Sequence, residues 1–215
     1  MFNAKLKAVT FSYDDGVTQD RRLIEIFNKY GIKATFHING NKLQNLSDEE
    51  LKERGKIYEG HEVSCHAFHH SHLSPMPAQI VAKELVDDRI LLEKMCGYPV
   101  RGMSYPFGKY NDEVINCMKA AGMEYSRTGR CTNGFPLPAN WLAWDPTCHH
   151  KADLKGLWKT MEARLQWLDM PVMYIYGHSF ELDLEPDNWV KLDALFATLS
   201  NREDIFYGTN KEVLL

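Results

Sequence analysis

The 215-residue sequence predicts an α/β fold, and three observations carry that expectation. Short β-branched or aromatic runs alternate with amphipathic stretches along the whole chain, which is the pattern of parallel strands joined by helices. No linker, repeat or low-complexity segment interrupts the alternation, so a single domain over 1–215 is expected. The residues able to do chemistry follow the strand-like runs, at the carboxyl ends where α/β barrels carry their sites. Seven or eight such units can close into a barrel, although the chain is short for a regular one.

Residues 8–13 form the first expected strand, ending at Asp14-Asp15. Leu23, Ile26, Phe27 and Tyr30 then recur at helical spacing until Gly31 stops the helix. The second strand is 33–38. Ser47, with Glu50 three residues on, opens a short helix through a capping box, and Gly55 ends it. Residues 61–64 lead as a strand into a histidine cluster. A long helix is expected over 77–95 with Gly97 just beyond, then a strand over 100–105 closed by Pro106. Asn111 caps a helix reaching Ala121. Strands are expected at 124–127 and 141–144, a helix at 152–168, a strand at 172–176, a helix at 187–200 and a strand at 204–207. A last helix begins at 211–215.

Composition bounds the function. Hydrophobic residues make up 44% and aromatic residues 12%, an ordinary globular balance, and the formal net charge is -4. No basic stripe suits nucleic acid, no polybasic patch suits an anionic bilayer, and no apolar run is long enough to span one. The first residues lack the apolar stretch of a signal peptide, so a cytoplasmic location is expected for the chain as written, short of a trimmed N-terminus. Five cysteines, an odd number without a CxxC pair, suggest small buried hydrophobes instead of a disulfide framework.

One carboxylate with two imidazoles four residues apart is a first-row metal set that leaves coordination positions open. Asp15, His66 and His70 supply it, although His69 and His72 blur the register. Asp14 remains beside it as a candidate general base for metal-assisted hydrolysis, or else a second ligand or a helix cap. His178, in Tyr176-Gly177-His178-Ser179-Phe180-Glu181, suits a general acid near neutral pH, with Glu181 able to orient or charge it. Cys148-His149-His150 reads either as a second metal site or as a polar loop. Phe107, Trp141 and Trp144 read either as faces for a sugar ring or as core.

These residues resemble the polysaccharide deacetylases of carbohydrate esterase family 4, the NodB-homology group. Thr10-Phe11-Ser12-Tyr13-Asp14-Asp15-Gly16 carries the core of the opening motif T-F-D-D-G. Gly60-His61-Glu62-Val63-Ser64-Cys65-His66-Ala67-Phe68-His69-His70 is similar to G-H-E-hydrophobic-x-x-H-[ST]-x-x-H, with Ala67 where Ser or Thr is usual. Ala34-Thr35-Phe36, Tyr105-Pro106-Phe107-Gly108 and Phe206-Tyr207-Gly208-Thr209 resemble further signatures. The resemblance implies a distorted (β/α) barrel of about seven strands and removal of acetyl from an N-acetylated sugar or oligosaccharide. It also implies one divalent metal on Asp15, His66 and His70, most often Zn2+, although such donors also accept Co2+, Mn2+, Ni2+ or Fe2+. Asp14 would be the base and His178 the acid. Tyr105, Phe107, Trp144 and Asp145 would line the acyl group, with a backbone N–H near Phe107 facing the oxyanion.

The departures are specific. Ser104 stands where the family has the arginine that fixes the base, and Arg101 is the nearest arginine in sequence. The motif D-x-x-x-W is unmatched except for Trp144-Asp145. A divergent member is therefore expected. Another small N-acyl, amide or ureide substrate, and a non-catalytic carbohydrate-binding role, stay open beside the deacetylase reading. Oligomeric state is not legible.

Overall fold

The structure is a computed structural model, and it describes residues 4–163 and 170–214. In chain order the elements are β1 (Lys7–Asp14), α1 (Asp20–Lys29), β2 (Thr35–Ile38), α2 (Asp48–Gly55), β3 (Glu62–Cys65), α3 (Ala78–Cys96), β4 (Gly102–Ser104), α4 (Asp112–Ala120), β5 (Tyr125–Arg127), β6 (Cys148–His149), α5 (Leu154–Glu162), β7 (Val172–His178), α6 (Asn188–Leu199), β8 (Ile205–Tyr207) and α7 (Asn210–Leu214). The strand–helix alternation expected from sequence is present, and every strand pairing whose register is described is parallel. No helix among the described residues is long and apolar enough to cross a membrane.

Contacts divide the chain into two compact units. The first comprises Met1–Thr35, Cys131–Leu137 and Pro146–Leu215. At its centre β1 pairs with β7 from Ala8↔Val172 to Asp14↔His178, and with β8 through Lys7–Val9. All eight β1 residues are buried, as expected for a parallel strand covered on both faces. Its buried polar side chains are served inside the core: Asn210 Nδ2 donates to Thr10 Oγ1 at 2.9 Å. Phe11, Phe27 and Phe196 form the aromatic centre, with ring centroids 5.0–5.1 Å apart. The register leaves Asp14 and His178 level at the carboxyl ends of adjacent strands.

The second unit comprises Phe36–Arg130 and Pro138–Asp145. Its strands run in the order β5-β4-β3-β2, with β2 starting on the last residue of the first unit. Both Ser47–Glu50 capping bonds form at the start of α2, and Gly97 takes the left-handed conformation that ends α3. Gly102 is needed for close packing, because a Cβ there would lie 2.0 Å from the Tyr125 ring.

Three expectations need correction. Residues 141–144 are not a strand: Trp141–Ala143 is a single 3-10 turn, followed by one bridge between Trp144 and Arg127. The run mimics a strand because Leu142 and Trp144 are buried while Trp141 is 39% exposed, an in–out alternation that a turn can also produce. A strand stands instead at Cys148–His149, within the segment read as a metal site or polar loop. The helix expected over 152–168 begins at Leu154, where Asp153 caps it by accepting from the Gly156 N–H. It is seen to Glu162, and residues 164–169 of that expectation lie outside the described ones.

Candidate active site

In the second unit, the His66 loop is held from three sides. Asp88 on α3 accepts the His66 N–H at 2.9 Å and the Gly40 N–H at 2.7 Å. Asn39, at the end of β2, donates to the His66 and Ala67 carbonyls at 2.7 and 2.9 Å. His66 Nδ1 lies 2.8 Å from the Ser104 carbonyl and 2.7 Å from Ser104 Oγ. A carbonyl only accepts, so Nδ1 carries the proton and Nε2 keeps the lone pair that can bind a metal. Ser104, at the position where the family has arginine, thus fixes the tautomer of His66.

The other imidazoles sort themselves. The His70 ring sits 4.8 Å from that of His66, centroid to centroid. His69 is committed to Glu84, which accepts its N–H at 2.9 Å and meets its Nδ1 at 2.6 Å. His72 is exposed and bonds only locally, to Ser74. His69 is thus engaged by Glu84, while Asp15, His66 and His70 each offer a ligand atom within 4.8 Å of the others. Burial pushes the Asp88 carboxyl up to about 8, against its bonds from the His66 and Gly40 N–H groups.

Backbone strain concentrates in these loops. Ala67 and His70 have φ of 57° and 56°, and Phe107 has φ of 58°. In the first unit, Asp15 has φ of 82°. Non-glycine residues rarely adopt this region, and when they do the surroundings impose it, often at functional sites. Phe107 is 65% exposed and its ring stands edge-on to His70, with centroids 4.7 Å apart.

Several expected residues have other roles. Tyr105 is buried, donates its hydroxyl to the Leu142 carbonyl at 2.7 Å and stacks on Tyr110. Trp144 is 1% exposed and belongs to the core. Neither ring can face a ligand, since large apolar rings gain most from complete burial. Asp145 accepts from Thr128 Oγ1 at 2.5 Å and pairs with Arg130. Arg101 lies before β4 and reaches Glu93 at 3.5 Å, so its charge is used on the side away from the carboxyl ends. The arginine at the rim is Arg127, which is 2% exposed and level with Ser104 on the neighbouring strand. Sequence reading treated Arg127 as a strand end. Its signal was a charged residue closing an expected strand, Glu124-Tyr125-Ser126-Arg127.

In the first unit, Asp14 ends β1, is 4% exposed and stands beside His178. His178 Nδ1 meets Glu181 Oε2 at 3.3 Å. Burial, the largest single influence, opposes charging of His178. The bond to Glu181 and the charges of Asp14, Asp15 and Glu181 outweigh it, so His178 titrates above its ordinary value. His149, His178 and Glu181 each offer a ligand atom within 4.8 Å of the others, which suggests a second metal set. The protons argue against it. His149 Nδ1 takes the Lys151 N–H at 3.3 Å, so Nε2, 3.0 Å from Glu181, bears the hydrogen and is a donor.

Comparison with known proteins gives the family and the fold. Residues 3–126 match the family described as polysaccharide deacetylase. The chain is 27% identical over 117 residues to a peptidoglycan-N-acetylmuramic acid deacetylase of Bacillus subtilis, covering 54% of this chain and 24% of that protein. It spans less than half the length of the curated relatives it matches. Among solved structures, a family 4 acetyl xylan esterase from Clostridium thermocellum, in complex with a cobalt ion, superposes with a TM-score of 0.62 at 18% identity. That likeness covers 96% of this chain and 89% of the esterase. A family 4 pseudoenzyme from Bacillus anthracis superposes with a TM-score of 0.66 at 17% identity, covering 97% and 65%. The fold is therefore the (β/α) barrel type of these proteins, and with more than half of its length matched by the family, the chain belongs to the polysaccharide deacetylases.

Proposed function

We propose that this chain is a metal-dependent hydrolase that removes acetyl from an N-acetylated sugar or oligosaccharide. The observation that carries the reading is the locked His66 tautomer. A ring whose Nδ1–H is held by a main-chain carbonyl is in the tautomer that a metal ligand at Nε2 needs. In this reading Asp15, His66 and His70 hold one divalent cation. Two imidazoles and a carboxylate suit zinc and leave room for water and substrate. When bound, the cation supplies Lewis acidity, making water nucleophilic near neutral pH and polarising the acyl carbonyl.

The chain's own groups do the rest. Asp14 accepts the proton of the attacking water. The Phe107 N–H donates to the oxygen on which negative charge develops. His178, protonated more readily than an ordinary histidine, gives its proton to the leaving nitrogen. The exposed Phe107 ring offers an apolar face to the substrate. The peptidoglycan and chitin deacetylases among the relatives support an N-acetylated glycan, and a small N-acyl compound would use the same groups.

The test is acetate release from a panel of N-acetylated oligosaccharides in the presence of zinc, cobalt or manganese. Wild-type protein is expected to release acetate. His66→Ala is expected to lose the metal, and Asp14→Asn to keep the metal and lose about 10²–10⁴-fold in rate. Wild-type metal content in His66→Ala would overturn the ligand assignment. A protein that binds metal but releases no acetate from any member of the panel would favour a carbohydrate-binding role, as a family 4 pseudoenzyme makes conceivable.

A further inference from the structure

Glu181 is a crowded carboxylate in the first unit. Its Oε2 lies 3.0 Å from His149 Nε2, 3.2 Å from His150 Nε2 and 3.3 Å from His178 Nδ1. It also accepts the His178 N–H at 3.2 Å, while Lys151 Nζ holds Oε1 at 2.7 Å. Proton bookkeeping resolves the cluster. His149 Nδ1 accepts from the Lys151 N–H and His150 Nδ1 lies 3.2 Å from the Tyr13 hydroxyl, so both rings can present Nε2–H to Glu181. His178 presents Nδ1–H. All three rings then donate to a single oxygen, and no metal is needed to satisfy them.

We propose that Glu181 is the positioning residue of the proton donor, holding His178 with Nδ1–H toward itself and Nε2 toward the leaving nitrogen, while His149, His150 and Lys151 hold Glu181. This rests on the reading of His178 as the acid. The segment is built for the task. Glu181 lies three residues after His178, in the turn Ser179–Asp183, so tether and acid share one rigid stretch. Ser179 Oγ ties that turn to buried Asp20 on α1 at 2.5 Å. Gly177 lets the His150 ring approach, because a Cβ there would lie 2.5 Å from His150 Nδ1. The groups that bear on His178 are Glu181, His149 with ring centroids 6.4 Å away, and Asp14 and Asp15 from the β1 end. Among these acids only Glu181 is hydrogen-bonded to the ring in the described contacts. Removing its charge should therefore ease loss of the His178 proton.

The experiment is a 15N NMR titration of the histidines in the full chain, run beside kinetics. In wild type, neutral His178 is expected as the Nδ1–H tautomer, titrating above an ordinary histidine. In Glu181→Gln the midpoint is expected to fall, and the alkaline limb of the kcat profile to move to lower pH by the same amount, with KM and metal content unchanged. Glu181→Asp should recover part of the shift. An Nε2–H tautomer in wild type would overturn the proposal without any variant, and so would an unchanged midpoint in Glu181→Gln. If the midpoint falls but wild type deacetylates nothing, the coupling of Glu181 to His178 stands and the deacetylase reading fails.

Discussion

At the scale of single residues, the two arginines make the sharpest contrast. Arg101 was the obvious substitute for the missing family arginine because it is nearest in sequence. Its guanidinium is half-exposed and paired with Glu93. Arg127 is 2% exposed at the carboxyl end of β5, abreast of Ser104. A guanidinium is costly to bury, so one kept at the rim argues for a role there. Arg101→Ala is expected to leave kcat unchanged. Arg127→Lys keeps the charge but loses the planar fork, and a displacement of that kind costs up to about 10²-fold in rate. Steady-state kinetics on both variants, with melting temperatures to exclude unfolding, check this. Equal loss in both, or in neither, would remove the distinction. Sequence spacing misled here because adjacency in a sheet is set by register across strands, which a linear reading does not supply.

At the scale of elements, α3 supports the site from beneath. Asp88 on its buried face satisfies the N–H groups of Gly40 and His66, each of which opens a loop. Asp88→Ala would leave both donors buried without a partner, at about 1–3 kcal/mol each. Chemical denaturation should register that loss, together with weaker metal binding. A stability change near zero would mean that water replaces the carboxylate. Helix α3 itself was legible from its length, its periodicity and Gly97, but the role of Asp88 was not. One of two adjacent acids, Asp87-Asp88, in an amphipathic pattern reads as solvated, and only the fold reveals that Asp88 is buried. The capping box of α2 was legible to the residue because its chemistry is local. The supposed strand over 141–144 failed for the converse reason, since apolar residues carry the same signal in a turn as in a strand.

At the scale of the whole molecule, the proposed metal would tie together residues far apart in sequence, Asp15 with His66 and His70. Binding to the folded state alone adds RT ln(1 + [L]/Kd), about 4 kcal/mol at a thousandfold excess over Kd. Chelation should therefore lower the melting temperature of wild type by about 2–4 °C per kcal/mol lost, and leave His66→Ala unaffected. Differential scanning calorimetry with and without chelator measures both. A chelator-insensitive wild type would count against the assigned set. The α/β class and the family were legible because strand–helix alternation and the two opening motifs are local patterns. The supports of the site were not: Asn39, Asp88 and Ser104 lie on β2 or beside it, on α3 and on β4, and no spacing rule joins them to His66.

The contact between His66 and the Ser104 carbonyl carries a consequence for engineering. The acceptor is main chain, so no substitution at position 104 removes it, and only the accessory hydroxyl is open to mutation. The proton that selects the ligating nitrogen is thus encoded in the path of β4 instead of in a side chain. A library varying the surroundings of His66 could alter affinity and metal preference freely, yet every member that keeps the strand would keep the same tautomer.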